Sequence, residues 1–231
     1  MSVVEFEAAQ GTDWPKITLP LAERGLLTRT YQTARVILEY GSGGSTVLAA
    51  QMPGTLTFSV ESDQAWACAL QRKFDGSDVP SPPILYPVDI GRTGRWGRPV
   101  DDGKWQNFHR YPLSIWIEPF FRHPDVVLID GRLRPACFVA TCLHITKPVT
   151  VLFDDYVNRP SYHIVENLVK PVETVGRMAR FVIRPQPWPA WIHSLLNELC
   201  TRMSYPPSAA NPAMPSYDAI RSNVLKQAGV L

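Results

Sequence analysis

The stretch VILEYGSGGSTVLAA, residues 36–50, joins a short apolar segment to a run of small residues through three glycines. Its apolar first part predicts a strand, and the small residues after the glycines predict a helix. A strand, a glycine turn and a helix N-terminus bring backbone N–H groups close to an anionic or polar ligand group. The stretch therefore predicts an α/β fold with a ligand site at the turn.

The glycine spacing and the residue before the turn narrow the class of ligand. In a dinucleotide fingerprint, GxGxxG, the third glycine would stand where this chain has Thr46. The phosphate loop GxxxxGK[ST] needs a lysine, and residues 39–51 contain none. Glu39 would repel a pyrophosphate, whereas it suits a ligand that carries a cationic ammonium group. These features disfavour dinucleotides and nucleoside triphosphates.

Strand and helix patterns alternate along the rest of the chain. Apolar and β-branched runs predict further strands at residues 55–62, 84–90, 125–131 and 149–155. Helical spacing predicts helices at residues 19–34, 63–74, 135–145 and about 162–170. Two closely spaced segments, 172–176 and 178–185, are expected to pair at the sheet edge. The five strand–helix alternations predict a doubly wound, mostly parallel α/β sheet.

Two regions depart from this alternation. Residues 91–119 are rich in Gly, Arg, Trp and Pro, which predicts a functional loop inserted into a domain that spans residues 1–187. Residues 188–231 predict a C-terminal arm with a helix near 191–203, a Pro/Ala linker and a short helix from Ser216. The arm has two interpretations: a docking element for a partner or for a homo-oligomer, and a strap over the sheet.

Composition excludes several classes of protein. The net charge is +2 and no long basic run occurs, so we expect no nucleic-acid partner. No apolar stretch approaches the roughly 20 residues of a membrane span, and the first residues do not resemble a signal peptide. The cysteines show no CxxC spacing, so we expect reduced core thiols in a cytoplasmic protein at positions Cys68, Cys137, Cys142 and Cys200.

Acidic residues stand at the ends of the predicted strands, where ligands of doubly wound sheets bind. Glu61 closes the second strand, 20 residues after Gly41. A carboxylate at this place can accept hydrogen bonds from both hydroxyls of a ribose, although a solvated strand-end acid is the alternative. Asp89 follows the third strand in the same way. Together with the glycine turn, Glu61 favours a ligand that contains a nucleoside.

The segment LEYGSGGST resembles the ExGxGxG first motif of class I S-adenosylmethionine-dependent methyltransferases. Glu39, Gly41 and Gly43 match the motif, and Ser45 replaces its last glycine. The resemblance implies a seven-stranded Rossmann-like sheet, mostly parallel, with an antiparallel edge strand. It also implies that S-adenosylmethionine binds to Glu39, Tyr40, Gly41, Ser42, Gly43, Ser45, Glu61, Ser62, Asp89 and Asp130.

Three further carboxylates follow adjacent strands. Asp130 ends the fourth strand, and Asp154 and Asp155 end the fifth. Neighbouring strands lie about 4.8 Å apart, so these groups converge and repel one another unless a cation such as magnesium binds them. The sequence DDY at the fifth strand resembles the macrocin-type metal-dependent O-methyltransferases, which implies magnesium at Asp130, Asp154 and Asp155. Alternatively, Asp155 caps the following turn.

The residues for acceptor chemistry are less clearly marked. His109 and His144 are candidate bases, although His109 also fits a surface position and His144 a helix end. Arg132 and Arg134 suit a substrate carboxylate or phosphate, or ion pairs with Asp154 and Asp155. We expect the catalytic residues to be Asp130, His109 and Arg132. An aromatic wall for the acceptor, or packing of the inserted loop, is expected from Trp96, Trp105, Tyr111 and Trp116.

The resulting hypothesis is an S-adenosylmethionine-dependent methyltransferase that methylates a hydroxyl of a small-molecule acceptor, with assistance from a divalent metal. A second hypothesis is a non-catalytic, methyltransferase-like protein that binds S-adenosylmethionine or S-adenosylhomocysteine. A third is an NAD(P)-dependent oxidoreductase, which is disfavoured by Thr46 and by the absence of a Tyr-x-x-x-Lys pair.

Overall fold

The computed structural model describes residues 14–204 of the chain. The strands of its main sheet are β1 (Val36–Tyr40), β2 (Leu56–Glu61), β3 (Ile84–Pro87), β4 (Val126–Ile129), β5 (Val149–Phe153), β6 (Glu173–Val175) and β7 (Met178–Ile183). The α-helices named below are α1 (Leu21–Tyr31), α2 (Gly44–Ala50), α3 (Gln64–Asp75), α4 (Arg134–His144) and α5 (Trp191–Thr201).

The main sheet confirms the predicted architecture. Its seven strands run in the order β3-β2-β1-β4-β5-β7-β6. Strands β1 to β5 are parallel, and β7 is antiparallel to both of its neighbours, β5 and β6. The antiparallel strand thus lies one place inside the edge. This is the seven-stranded Rossmann-like sheet that the resemblance implies, with a hairpin made by the two closely spaced segments after β5.

Strand β4 shows that helices cover both faces of the sheet. All four of its residues are buried, as a continuous apolar run predicts for a central parallel strand. Val127 and Ile129 pack in one core cluster with α4, whereas Val126 and Leu128 pack in a second cluster with α1. This alternation places one helical layer on each side of the sheet.

The strand register brings the predicted site residues to one edge. Tyr40 of β1 pairs with Val60 of β2 and with Ile129 of β4, and Ile129 pairs with Phe153 of β5. Because these strands are parallel, the residues that follow them emerge side by side. The glycine turn, Glu61, Asp130 and Asp154 therefore lie at the same end of the sheet, where parallel α/β folds bind ligands.

The inserted loop contains more local structure than its sequence pattern predicts. Residues Thr93–Gly94 and Arg98–Pro99 form a short antiparallel ribbon. A helical turn at Arg110–Leu113 follows. The segment expected to form a helix at about 162–170 is instead a 3-10 helix, Pro160–Asn167. These short elements bury little continuous apolar surface, so hydrophobic periodicity does not reveal them.

The C-terminal helix α5 packs on the body of the domain. Ile192, Leu196 and Leu199 of this helix are buried in the cluster that also contains residues of α4. The indole N–H of Trp188 donates a hydrogen bond to the carbonyl of Cys142 over 2.8 Å. Residues 191–201 thus pack against the domain beside α4, while the helix predicted from Ser216 lies outside the described residues.

The cysteines follow the expectation in part. Cys137, Cys142 and Cys200 are buried free thiols, and burial raises the pKa of each. Cys68 is also a free thiol but is exposed, which corrects the expectation that it packs in the core. No helix within residues 14–204 combines the length and apolar character needed to cross a membrane.

Candidate functional site

A cavity of about 750 Å³ opens at the carboxyl ends of β1, β2, β4 and β5. Its volume lies in the range that small-molecule sites occupy. The glycine turn, the ends of the strands, the inserted ribbon and the segment before α1 all contribute to its wall. The lining includes residues 15–19, 41–45, 61–63, 94–98 and 130–132, together with Trp66, Tyr111, Arg134, Asp154, Asp155, Arg159 and Arg177.

Two glycines let the loops after β1 and β4 approach each other. Gly41 has φ +100°, and a Cβ atom on it would lie 2.9 Å from Cα of Gly131. A Cβ atom on Gly131 would lie 2.8 Å from the amide nitrogen of Gly41 and 2.1 Å from the hydroxyl oxygen of Tyr111. A side chain at either position would therefore clash with the other loop, and this close approach places Asp130 beside the glycine turn.

Glu39 supports the glycine turn from behind and does not line the cavity. It is fully buried, and its carboxylate accepts hydrogen bonds from Tyr31 Oη at 2.8 Å and from Thr46 Oγ1 at 2.5 Å. Burial raises its pKa, although these hydrogen bonds act to lower it. Thr46 Oγ1 also accepts from the N–H of Gly43. The structure thus corrects the expected direct contact with a ligand and explains why threonine replaces a third glycine.

Tyr40, another predicted ligand contact, is a core residue. Its side chain is fully buried, and its hydroxyl donates to the carbonyl of Pro112 at 2.8 Å. The same hydroxyl accepts a hydrogen bond from the indole N–H of Trp116 at 2.7 Å. Tyr40 therefore ties the inserted loop to the sheet. Its backbone, which leads into the glycine turn, is the part of the residue closest to the site.

Glu61 lines the cavity and organises the loops around it. One carboxylate oxygen accepts from the N–H and the hydroxyl of Ser42, at 3.0 and 2.8 Å. The other accepts from the N–H groups of Ser62 and Asp63, at 2.6 and 2.9 Å. The Ser62 hydroxyl in turn donates to the carbonyl of Gly97 at 2.9 Å, so the inserted ribbon closes over this end of the cavity.

Asp89 and His109 lie outside the cavity, which corrects both expectations. Strand β3 ends at Pro87, and the Asp89 side chain then forms an exposed ion pair with Lys104 of the inserted loop. The hydrogen bond from Lys104 lowers the pKa of Asp89. His109 is exposed, and His144 stacks on the Trp116 ring at the end of α4. The cavity wall formed by residues 14–204 therefore contains no histidine.

The predicted aromatic wall divides into two groups. Tyr111 and Trp116 pack the inserted loop onto the sheet, and the ring of Tyr111 also reaches the cavity. Trp96 is 61% exposed and lies at the cavity rim, whereas Trp105 is exposed elsewhere. Packing of the insert thus accounts for two of these four aromatic residues, and Trp96 is available to a ligand.

The carboxylates of Asp130, Asp154 and Asp155 converge as the strand ends predict, but an arginine lies among them. The guanidinium of Arg134 lies 2.9 Å from Asp130 Oδ1, 3.2 Å from Asp155 Oδ2 and 3.7 Å from Asp154 Oδ2. The Arg134 side chain is only 6% exposed. Burial acts to lower its pKa, and the surrounding carboxylates outweigh this effect and raise it. Arg134 is thus the central counter-ion of the cluster.

Two further arginines neutralise the carboxylates of Asp154 and Asp155. Arg177 donates to both carboxylate oxygens of Asp154, at 3.0 and 3.1 Å, and Arg159 pairs with Asp155 at 2.8 Å. Within residues 14–204, no group of three or more His, Cys, Asp or Glu side chains is arranged to hold a metal ion. Because guanidinium groups occupy the space between the carboxylates, the donor set does not fit the predicted magnesium ion. The ion-pair alternative for Arg134 is confirmed.

Asp130 is the member of this cluster with the most unusual pKa. Its side chain is 31% exposed and lines the cavity. Burial raises its pKa to about 7, the charge of Arg134 acts to lower it, and the charge of Asp154 raises it. A carboxyl group that titrates near neutrality can accept a proton from a bound ligand.

Several cavity residues were not expected from the sequence. Trp66 lies in the first turn of α3, and its indole N–H donates to the carbonyl of Ser42 at 3.1 Å. A Cβ atom on Gly44 would lie 2.3 Å from the amide nitrogen of Ile17, so the segment before α1 rests on the glycine turn. The position of Trp66 shortly after the strand-end acid Glu61 could have indicated from the sequence that it lies near the site. Arg177 and Ile17 reach the site by long-range packing, and no local sequence pattern predicts such contacts.

Comparison with solved structures found a strong relative. A methyltransferase-like protein from Silicibacter pomeroyi DSS-3 is 46% identical, with a TM-score of 0.77, and the match covers 81% of this chain and 98% of that one. No protein-family model matches the chain, and no curated protein sequence matches it significantly.

Two further structural matches are weaker. The O-methyltransferase TomG from Streptomyces achromogenes, solved with S-adenosylmethionine, is 16% identical with a TM-score of 0.48, and the match covers 70% of this chain and 77% of that one. An O-methyltransferase from Bacillus cereus, solved with S-adenosylhomocysteine, is 16% identical with a TM-score of 0.43, and the match covers 69% and 76%. The strong relative decides the assignment: the chain belongs to the methyltransferase-like family, on a Rossmann-like methyltransferase fold.

Proposed function

We propose that this protein is an S-adenosylmethionine-dependent methyltransferase that transfers the methyl group to a hydroxyl of a small acceptor. One observation carries the proposal. In a methyltransferase fold, the glycine turn after β1 and the Glu61 carboxylate after β2 line the same cavity. This pairing offers backbone N–H groups to a polar tail and a carboxylate to ribose hydroxyls.

Glu61 supports the nucleoside half of this ligand. One of its hydrogen bonds comes from the hydroxyl of Ser42, which can rotate away when a ribose hydroxyl approaches. The carbonyl of Gly97 accepts from Ser62 in the present arrangement, so ribose binding requires the ribbon at residues 94–98 to move outward. The ribbon is therefore expected to exchange its contact with Ser62 for contact with the ligand.

Asp130 supports the chemistry. S-adenosylmethionine supplies a methyl group on a sulfonium, and the reaction forms an oxygen–carbon bond to the acceptor while the carbon–sulfur bond breaks. The acceptor hydroxyl must lose its proton, and Asp130 is the cavity carboxyl whose pKa of about 7 suits it to accept one. Arg134 holds this carboxyl in place through its contact with Oδ1. The proposal includes no metal ion, because the carboxylates already pair with arginines.

The pH dependence of turnover tests the role of Asp130. Because a base must be ionised to accept a proton, kcat/KM should rise with pH and reach half of its plateau at about pH 7, following the raised pKa of Asp130 in the free protein. Asp130→Asn should lower kcat by about a hundredfold or more while S-adenosylhomocysteine affinity stays within about threefold. Steady-state rates across pH and calorimetry measure the two effects. If Asp130→Asn keeps the wild-type pH profile, Asp130 is not the group that accepts the proton.

Calorimetry with four cofactors tests the proposed function itself. We expect S-adenosylmethionine and S-adenosylhomocysteine to bind, and NAD and NADP to give no heat of binding. Binding of NAD alone would overturn the proposal in favour of an oxidoreductase. Methyl transfer from radiolabelled S-adenosylmethionine to a panel of hydroxylated compounds then separates an enzyme from the alternative, a non-catalytic protein that binds the same cofactor.

A further inference from the structure

The cavity wall carries more positive charge than its own acids neutralise. Its lining carboxylates all have partners: Glu61 accepts from serine and backbone groups, Asp63 caps α3, and the three clustered aspartates pair with arginines. The arginines that line it are Arg95, Arg98, Arg132, Arg134, Arg159 and Arg177. Three of these serve the aspartate cluster. The other three pair with no Asp or Glu of residues 14–204.

Arg132 is the most unusual of the three unpaired arginines. The residue is only 8% exposed, and its Nε atom is buried with no hydrogen-bond partner in residues 14–204. Within residues 14–204, its side chain makes one hydrogen bond, from Nη1 to Ser204 Oγ over 3.4 Å. Burial lowers the pKa of this guanidinium, and the positive charges of Arg134 and Arg98 lower it further. A buried cation in this state is stabilised by any anion that binds beside it.

Arg98 is a second arginine with a buried, unpartnered Nε atom within the described residues. It belongs to the inserted ribbon and lines the cavity. Its charge is near enough to lower the pKa of Arg132. Two guanidinium groups that approach each other without an acid repel, and an oxyanion between them removes the repulsion. The planar fork of arginine matches carboxylate and phosphate oxygens.

We propose that Arg132 and Arg98 form an oxyanion-binding subsite, and that the methyl acceptor of this protein is an anion that carries a carboxylate or phosphate group. The identification of the anion as the methyl acceptor rests on the proposed methyltransferase function, whereas the subsite itself does not. Arg132 follows Asp130 by two residues. An acceptor anchored on Arg132 would therefore present its hydroxyl close to the carboxyl group that takes the proton.

The cofactor has a carboxylate of its own, so the position of Arg132 matters. Tyr162, which follows β5, and Ser204, which follows α5, both lie near Arg132. Glu61 follows β2, which is separated from β5 by β1 and β4. Arg132 thus has neighbours on the β5 side of the cavity, and its backbone N–H also contacts Tyr111, whose hydroxyl donates to the carbonyl of Val60 in β2. Binding of ligands with and without a carboxylate therefore decides between the acceptor and the methionine part of the cofactor.

Anion titration at constant ionic strength tests the subsite. Inorganic phosphate and acetate, each up to about 100 mM, should raise the Tm of the wild-type protein relative to chloride. Arg132→Gln should weaken phosphate binding by at least about tenfold, and Arg98→Gln should weaken it by a smaller factor. Arg35→Gln is the matched control, because Arg35 is an exposed arginine outside the cavity and should not change phosphate binding. Equal Tm curves for phosphate and chloride in the wild type would overturn the proposal.

Two ligands distinguish the acceptor from the cofactor as the source of the anion. Methylthioadenosine lacks the carboxylate that S-adenosylhomocysteine carries. We expect Arg132→Gln to bind both with wild-type affinity. If the variant loses affinity for S-adenosylhomocysteine alone, Arg132 binds the cofactor carboxylate and the acceptor assignment is overturned. Phosphate binding without any binding of S-adenosylhomocysteine would leave the subsite standing and reject the methyltransferase function.

Protein stability provides the last control. Removing an unpaired buried cation should leave the free energy of unfolding unchanged or higher, since the guanidinium carries a desolvation cost without a partner. Urea unfolding of Arg132→Gln without added phosphate measures this. A clear loss of stability would show that Arg132 has a structural partner, and the subsite would be rejected. Arg132→Lys keeps the charge without the fork and should retain weak phosphate binding.

Discussion

Replacing Arg134 by methionine should lower the free energy of unfolding by about 3 to 5 kcal/mol at about pH 8, the usual cost of removing one partner from a buried ion pair. Arg134 is 5% exposed and contacts carboxylate oxygens of Asp130, Asp154 and Asp155. It also donates to the carbonyl of Asp154 at 2.6 Å and to the carbonyl of Gly131 at 3.1 Å. Methionine fills a similar volume but leaves these acceptors without their donor.

The loss should depend on pH in a defined direction. The pKa of Asp130 in the folded protein is about 7, above its ordinary value of 3.8. Its protonation therefore adds stability that is complete below about pH 4 and disappears as the pH rises through about 7. Removing Arg134 raises this pKa further, because the charge that lowers it is gone. The difference in stability between wild type and variant should thus be smaller at about pH 5 than at about pH 8.

Urea unfolding at both pH values measures these differences. Lys170→Met is the control, because Lys170 forms an exposed pair with Glu166 and should cost less than about 1 kcal/mol. Adding Asp130→Asn to the Arg134→Met variant should recover part of the loss, since it removes one of the uncompensated charges. A loss below about 1 kcal/mol at pH 8 would contradict the central role of Arg134.

The aspartate cluster also shows which features of the site can be predicted from the sequence. The strand ends could be located from apolar runs and β-branched residues, and parallel strands place their carboxyl ends together. The convergence of Asp130, Asp154 and Asp155 therefore follows from sequence. The identity of the counter-ion does not, because Arg177 joins the cluster through the antiparallel pairing of β5 with β7. That contact depends on tertiary packing, and the acids alone resemble a metal site.

The two glutamates of the site show a second limit. Both end strands beside the glycine turn, and the sequence pattern assigns both to the ligand. Glu39 is buried behind the turn, whereas Glu61 reaches the cavity. In a strand covered on both faces, successive positions are all buried, so period-two alternation does not say which way a side chain points. Tyr31 of α1, which binds Glu39, becomes visible as a partner only in the folded chain.

Asp89 shows that the end of a strand also matters. Its position after the third strand predicts a place in the cavity, yet the structure ends β3 at Pro87 and turns Asp89 toward Lys104. The inserted loop supplies this lysine, and its sequence has no period from which a fold could be derived. Of the residues that the loop contributes to the cavity at positions 94–98, Trp96 was expected from the sequence, and the others were unpredictable for the same reason.

Glu61 lines the cavity and Asp89 does not, so substitutions at these two strand-end acids should affect ligand binding differently. Under the proposed function, Glu61→Ala should weaken S-adenosylhomocysteine binding by about a hundredfold. The carboxylate would accept from two ribose hydroxyls, and losing two charge-assisted hydrogen bonds at about 1.5 kcal/mol each amounts to about 3 kcal/mol. Asp89→Asn is the matched control, because this strand-end acid lies outside the cavity and should leave the affinity within about twofold.

Glu61 also holds the loops after β1 and β2, so a weaker affinity alone would not separate ligand contact from loop support. Glu61→Gln retains one acceptor oxygen, either for the N–H of Ser42 or for those of Ser62 and Asp63, and should disturb the loops less than Glu61→Ala does. The 2′-deoxy analogue of S-adenosylhomocysteine isolates the ribose contact. Wild type should bind this analogue about tenfold more weakly than S-adenosylhomocysteine, and both Glu61 variants should show a much smaller difference between the two ligands. If the variants discriminate against the analogue as strongly as the wild type, Glu61 does not contact the ribose.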